Sequence, residues 1–168
     1  MNRLIITCSF ICFVIMGLCS FEKIENNKLG VPFVRGRIVK VNPASNEAIL
    51  RVSLVNNSAD TIYYLSFTCD GWSKDIVYDT NIVDVVSINC NATYPLKLKI
   101  APHDSDARDV NCFLTHKRSF DDIKGRKYRL GYHWRALSRE QVINNDMNVW
   151  KLPNLTDEII WGDTLEIK

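Results

Sequence analysis

From about residue 30 onward, apolar positions recur at every second residue in short runs separated by turn residues, the pattern of half-buried β-strands. EAILRVSLVNNS is the clearest run. Leu50, Val52 and Leu54 fall on one face, Arg51 and Ser53 on the other, and the Asn56-Asn57-Ser58 turn closes it. In KYRLGYHW, the residues Tyr128, Leu130, Tyr132 and Trp134 share a face, an aromatic load that places this strand at the centre of a core. YPLKLKIAP alternates Leu96, Leu98 and Ile100 with Lys97 and Lys99, which predicts a wet outer face, and Pro102 halts the ladder.

Other runs are less regular. FVRGRIVKV, Phe33 to Val41, changes apolar phase at Gly36, which predicts a bulge or an edge position, and the turn NPASN ends it. TIYYLSFTC reads as a central strand, with Tyr63, Leu65, Phe67 and Cys69 expected inward and Ile62, Tyr64, Ser66 and Thr68 outward. Between Asp70 and Asn91 the alternation is broken, and KDIVYDT and IVDVVSI account for one or two edge strands. DVNCFLT, Asp109 to Thr115, is a further strand. One helix is announced by Ser138-Arg139-Glu140-Gln141, where the Ser caps the first turn and Gln141 reaches back, and it ends near Asn144. NVWKLPNLT is a loop or short strand, and DEIIWGDTLEIK is strand-like on both sides of a bulge at Gly162-Asp163.

About seven or eight strands with polar turns, one short helix and no repeated βαβ unit predict an all-β fold, an immunoglobulin-like antiparallel β-sandwich; a small closed barrel is the alternative. The start of the chain is different. Arg3 precedes fifteen mostly apolar residues, Leu4 to Leu18, short of the about 20 that a membrane span needs, so residues 1–19 are read as an export signal. Residues 20–32 are a polar linker and 33–168 a single sandwich domain, a length that one core can serve.

The 21 Lys and Arg nearly balance 19 Asp and Glu, with no long run of one sign, so nothing marks a nucleic-acid or membrane surface. Six cysteines are present, of which Cys8 and Cys12 lie in the leader. Cys19 has three open fates: acylation as the first residue of a lipoprotein, removal with the leader, or retention as a disulfide partner. Leu18 stands where either cleavage site prefers a small residue. Only an unmodified Cys19 leaves an even number of thiols. Val110 and Leu114 share a strand face with Cys112 and mark it as a buried, inert thiol.

The succession YLSFTCDGW, CNATYPLKLKIAPHDS, KYRLGYHW and IIWGDTLEI resembles a group of small, exported, uncharacterised bacterial proteins with immunoglobulin-like sandwiches, many with lipoprotein signals. It is similar, more faintly, to the BsuPI-type proteinase inhibitors. The resemblance runs from about Ala48 to Ile167 and implies a fold and an exported location, either tethered through Cys19 or free in the periplasm or outside the cell. It carries no catalytic residue. It does imply a bridge between Cys69 and Cys90, which an exported chain can keep, while pairings through Cys112 stay open.

Candidate chemistry is sparse. His103, His116 and His133 are scattered, with neither an i, i+4 pair nor cysteines at zinc spacing, although His133 and Arg129 flank Gly131 on the face opposite the aromatics, where a small basic groove is conceivable. HDSDARD lacks EF-hand spacing and reads as a solvated hairpin turn. GxSxG, a phosphate-cradling glycine loop and CxxC are all missing, so we expect neither catalysis nor a metal or cofactor. Tyr64, Trp72 and Trp150 are the aromatics expected to face outward as a ligand surface. Sequons at Asn56, Asn91 and Asn154 exceed the roughly two that chance supplies by too little to decide anything. The function that follows is a non-enzymatic binding or structural module at the cell envelope, holding a protein or other envelope component. A proteinase inhibitor is the alternative, and a hydrolase with a loop-assembled site the second.

Overall fold

The alternation in EAILRVSLV becomes strand β2 (Glu47–Val55), whose Ala48, Leu50, Val52 and Leu54 are buried. A computed structural model of the chain describes residues 30–78, 83–114, 120–143 and 155–167. Around β2 stand β1 (Phe33–Asn42), β7 (Ser105–Leu114) and β5 (Val83–Val85), in the order β1-β2-β7-β5. The second sheet holds β4 (Ile76–Tyr78), β8 (Lys127–Leu137), β3 (Ile62–Phe67), β6 (Pro95–Ile100) and β9 (Thr156–Glu166). All pairings are antiparallel.

β8 is the axis of the second sheet. Along one edge it pairs with β9; along the other, β4 and β3 follow one another, so that Tyr132 lies between Ile76 and Ile160 and Ala136 between Tyr64 and Thr156. With β4 and β6 set aside, the strands fall in chain order into the seven-strand immunoglobulin scheme: β1-β2-β7-β5 is the ABED sheet and β3-β8-β9 the CFG sheet. The sheets do not close into a barrel. The described residues contain nine strands and three short helices, α1 (Gly71–Lys74), α2 (Phe120–Ile123) and α3 (Arg139–Ile143), more than the seven or eight strands and one helix read from periodicity. β4, β5, α1 and α2 span only three or four residues each, too few to show a period.

The aromatic face of β8 lies where its alternation puts it. Tyr128, Leu130, Tyr132 and Trp134 are all at most 2% exposed. Trp134 stacks on Tyr64 with ring centroids 4.9 Å apart, and Trp72 of α1 lies 5.0 Å from Tyr132. The phase of β3 is the reverse of the one expected: Ile62 and Tyr64 point into the sandwich, while Leu65 is buried on the outside against Leu137, with Tyr63, Phe67, Val142 and Leu155 around it. Both faces of TIYYLSF are apolar because α3 covers the outer one, so a period of two carries no information about which is inward.

Two irregularities shape the edges. β1 is an edge strand, as its broken phase implies, but its bulge sits at Val39, between the pairs Ile38–Leu50 and Lys40–Ile49, whereas Gly36 keeps regular register opposite Val52. In β9 the bulge does fall at Gly162 and Asp163, which together oppose Leu130. There β9 comes so close to β1 that a Cβ on Gly162 would lie 2.2 Å from the Val34 carbonyl oxygen. The capping box of α3 is present, with Ser138 N–H donating to Gln141 Oε1 at 2.7 Å and Gln141 N–H to Ser138 Oγ at 3.2 Å.

Candidate binding surface

The register of β1, β2 and β7 lays the outward residues of the first sheet in rows. Arg35, Ser53 and Ala107 form one row, Arg37, Arg51 and Asp109 the next, then Lys40, Ile49 and Asn111, and finally Asn42, Glu47 and Phe113. Alternation forces this: with Leu50, Val52, Val110 and Cys112 committed to the core, the intervening residues must face solvent.

Two depressions occupy this face. One, of about 670 Å³, has an apolar floor of Ile49, Val86 and Phe113 rimmed by Lys40, Glu47 and Asn111. Val86 is 38% exposed. The other, of about 420 Å³, lies at the β1 edge, with Val34, Gly36 and Leu165 beneath and Arg35, Arg37, Arg51, Ser53 and Asp163 around it. Arg51 is held by Asp109 in one bidentate fork, Nε donating to Oδ1 at 2.6 Å and Nη2 to Oδ2 at 2.7 Å. That hydrogen bonding raises the Arg51 guanidinium above its ordinary pKa and holds the Asp109 carboxyl below its own; the nearby charge of Arg37 lowers Asp109 further.

A second set of charged groups lies on the outer face of the other sheet. Asp75 is buried and accepts from Arg135 Nη1 at 2.7 Å, and Arg135 Nε donates to Asp157 at 3.3 Å. His133 Nδ1 lies 3.3 Å from the same Asp157. Burial pushes the Asp75 carboxyl up, against the opposing pull of Arg135. The groove imagined between Arg129 and His133 is filled. Gly131 pairs with Trp161, whose ring is 2.9 Å from where a Gly131 Cβ would stand, and the Arg129 guanidinium lies 5.1 Å from that ring's centre.

The aromatic surface expected from the sequence is not where it was placed. Tyr64 is 0% and Trp72 4% exposed, and both are spent on the core: Tyr64 Oη donates to Asp106 Oδ2 at 2.6 Å, and Trp72 Nε1 donates to Tyr64 Oη at 3.3 Å. Trp150 and Cys19 lie outside the described residues. Cys69 and Cys90 form a disulfide, with Cα atoms 6.2 Å apart. Cys112 is a buried free thiol whose pKa burial pushes up to about 11. HDSDARD is a turn only at its start, since Ser105 to Asp109 open β7: Asp104 Oδ1 accepts from Ser105 N–H, while Asp106 holds Tyr64 of β3 and Asp109 holds Arg51 of β2. Among the described residues no group of side chains is arranged to hold a metal ion.

The arginine set was missed from sequence because Arg35 and Arg37 are separated from Arg51 by a turn and a strand reversal, and only the register joins them. No family model matches the chain, and no curated protein is detectably similar to it. The fold and the surfaces therefore stand on the geometry alone.

Proposed function

We propose that the chain is an exported, non-enzymatic binding module that holds a protein partner on the outer face of the β1-β2-β7-β5 sheet. The observation that carries this is the 670 Å³ depression, where the apolar Ile49, Val86 and Phe113 meet one cation, Lys40, one anion, Glu47, and two amides, Asn42 and Asn111. A mixed rim around an apolar centre is how protein interfaces are composed. The disulfide between Cys69 and Cys90 supports export, since such bridges persist in oxidising compartments. Acylation at Cys19, if it occurs, would tether the module to a membrane.

The test is photo-crosslinking in the native host, with the reactive residue installed at Ile49 or Phe113 and, as control, at Glu158 on the other sheet. A discrete protein adduct from the first two positions alone is expected. Equal labelling from all three, or none from any, would overturn the reading.

A second reading, inhibition of an extracellular proteinase, is favoured by the exposed segment from Val86 to Tyr94. It has no regular structure but is anchored at four points: Val86 N–H to Asn111 O, Ile88 N–H to Asp70 Oδ2, Cys90 to Cys69, and Tyr94 to Thr68. Ile88 stands 64% exposed between the anchors. A loop held in one shape spends little entropy on docking into a cleft. Purified protein without effect on a panel of extracellular proteinases at micromolar concentration would remove this reading.

A further inference from the structure

We infer that the depression at the β1 edge is an oxyanion site, taking a phosphate or sulfate group between Arg35, Arg37 and Arg51. It is a different depression from the one assigned to a protein partner, and its test is independent of that assignment.

Register puts Arg37 directly opposite Arg51, a like-charge pair of the kind that destabilises an antiparallel sheet. Arg35 stands two residues along on the same face, opposite Ser53. Asp109 bonds Arg51 directly and reaches Arg37 only through its longer-range charge. Among the described residues, Arg35 and Arg37 have no carboxylate within ion-pair distance, and the remaining contact of Arg35 is its guanidinium 5.7 Å from the centre of the Phe33 ring. Three guanidinium groups against two carboxylates, Asp109 bound to Arg51 and Asp163 in the lining, leave a net positive charge around the depression.

The shape of the group follows from the donors. Arginine presents planar forks that suit the oxygens of phosphate and sulfate, and it holds its charge at any physiological pH. Arg51 is already fixed by both its bonds to Asp109, so part of the site is ordered before a ligand arrives. Ser53, opposite Arg35, adds a hydroxyl to the lining. Arrangements that break a local rule without gain to the fold are expected where a ligand supplies the compensation.

The experiment observes the arginine Nε–Hε signals of isotope-labelled protein by NMR while inorganic phosphate, and separately sulfate, is added, with chloride at equal ionic strength as reference. Saturable shifts at Arg35, Arg37 and Arg51 that chloride does not produce are expected, and Arg35→Ala and Arg37→Ala should each weaken binding by about tenfold or more, the scale of one lost charge-assisted hydrogen bond. Arg37→Ala should leave the unfolding midpoint close to unchanged or raised, because it removes the repulsion from Arg51 along with only a longer-range attraction to Asp109. Vesicles of anionic phosphatidylglycerol and a soluble polyphosphate chain then separate the sources: displacement of phosphate by vesicles assigns a lipid headgroup, displacement by the polymer assigns a soluble phosphate ester. No shift with either oxyanion at millimolar concentration, shifts that persist in both variants, or a lowered midpoint in Arg37→Ala would overturn the site, whatever the crosslinking shows.

Discussion

Asn56 shows how much a single side chain can be asked to do. It is 2% exposed, and its Nδ2 lies 2.7 to 3.1 Å from the carbonyl oxygens of Asp60, Ile100 and Ala101, while its Oδ1 accepts from the N–H and hydroxyl of Ser58. The amide thus ties the end of β2 to the end of β6. Asn56→Ala leaves buried carbonyls without a donor and should cost about 1–3 kcal/mol in urea unfolding. Asn56→Asp should cost more, since a carboxylate would face three carbonyl oxygens. Two aspartates make a paired prediction about pH. Asp75 has its pKa raised by burial, so the folded chain keeps that proton longer than the unfolded chain; its contribution is full below the unfolded value near 3.8 and is lost as pH rises through the folded value. Asp109 has its pKa lowered by Arg51, so its contribution is full above that same unfolded value and is lost as pH falls through the depressed one. Measured from pH 2 to 6, the slope of stability should therefore flatten above about 3.8 in Asp75→Asn and below about 3.8 in Asp109→Asn. Slopes that change in the same window would contradict the assignment.

At the scale of elements, the edge where β9 meets β1 decides how tightly the sandwich shuts. Gly162 is needed there because the Val34 backbone occupies the place of a side chain, and backbone in a paired strand cannot swing aside. Gly162→Ala should cost about 1–3 kcal/mol through overpacking, read from the denaturant midpoint. Gly36 is a useful contrast. A Cβ there would meet Leu130 and Leu165 only at side-chain atoms, which can rotate, so Gly36→Ala should cost less than Gly162→Ala. The reverse order would mean that the closeness of β9 to β1 is not what Gly162 provides.

For the whole molecule, the disulfide closes a segment built of short elements. Cys69 and Cys90 are 21 residues apart, and among the described residues the stretch between them holds the short elements α1, β4 and β5. Cys69 and Asp70 both adopt positive φ, 56° and 67°, a conformation that side-chain-bearing residues rarely take. The bridge and the Asp70 bond to Ile88 hold that corner. Changing both cysteines to serine should lower stability by about 3 kcal/mol, seen as a reduced urea midpoint that added reductant lowers no further.

Strand existence, the inward face of β8, the bulge at Gly162-Asp163 and the cap at Ser138 were all determined by the sequence itself, because each depends on neighbours within a few residues: a period of two, a glycine in a strand, a serine three places before a glutamine. The pairing of Cys69 with Cys90 was legible only through resemblance. What tertiary structure decided is everything that depends on a second element. Tyr64 is inside because Val142 of α3 and Leu155 pack on the outer face of β3 and give the strand two apolar sides, and Trp72 is inside because α1 sets it against Tyr132. Asn56, in a polar turn, became a buried tie because β6 ends beside it. Arg37 meets Arg51 only because β1 reverses onto β2 in one register, and a shift of one residue would have sent one of them into the core. Local chemistry fixes each strand and its turns; the surface that a ligand meets is a product of register, which no single stretch of sequence contains.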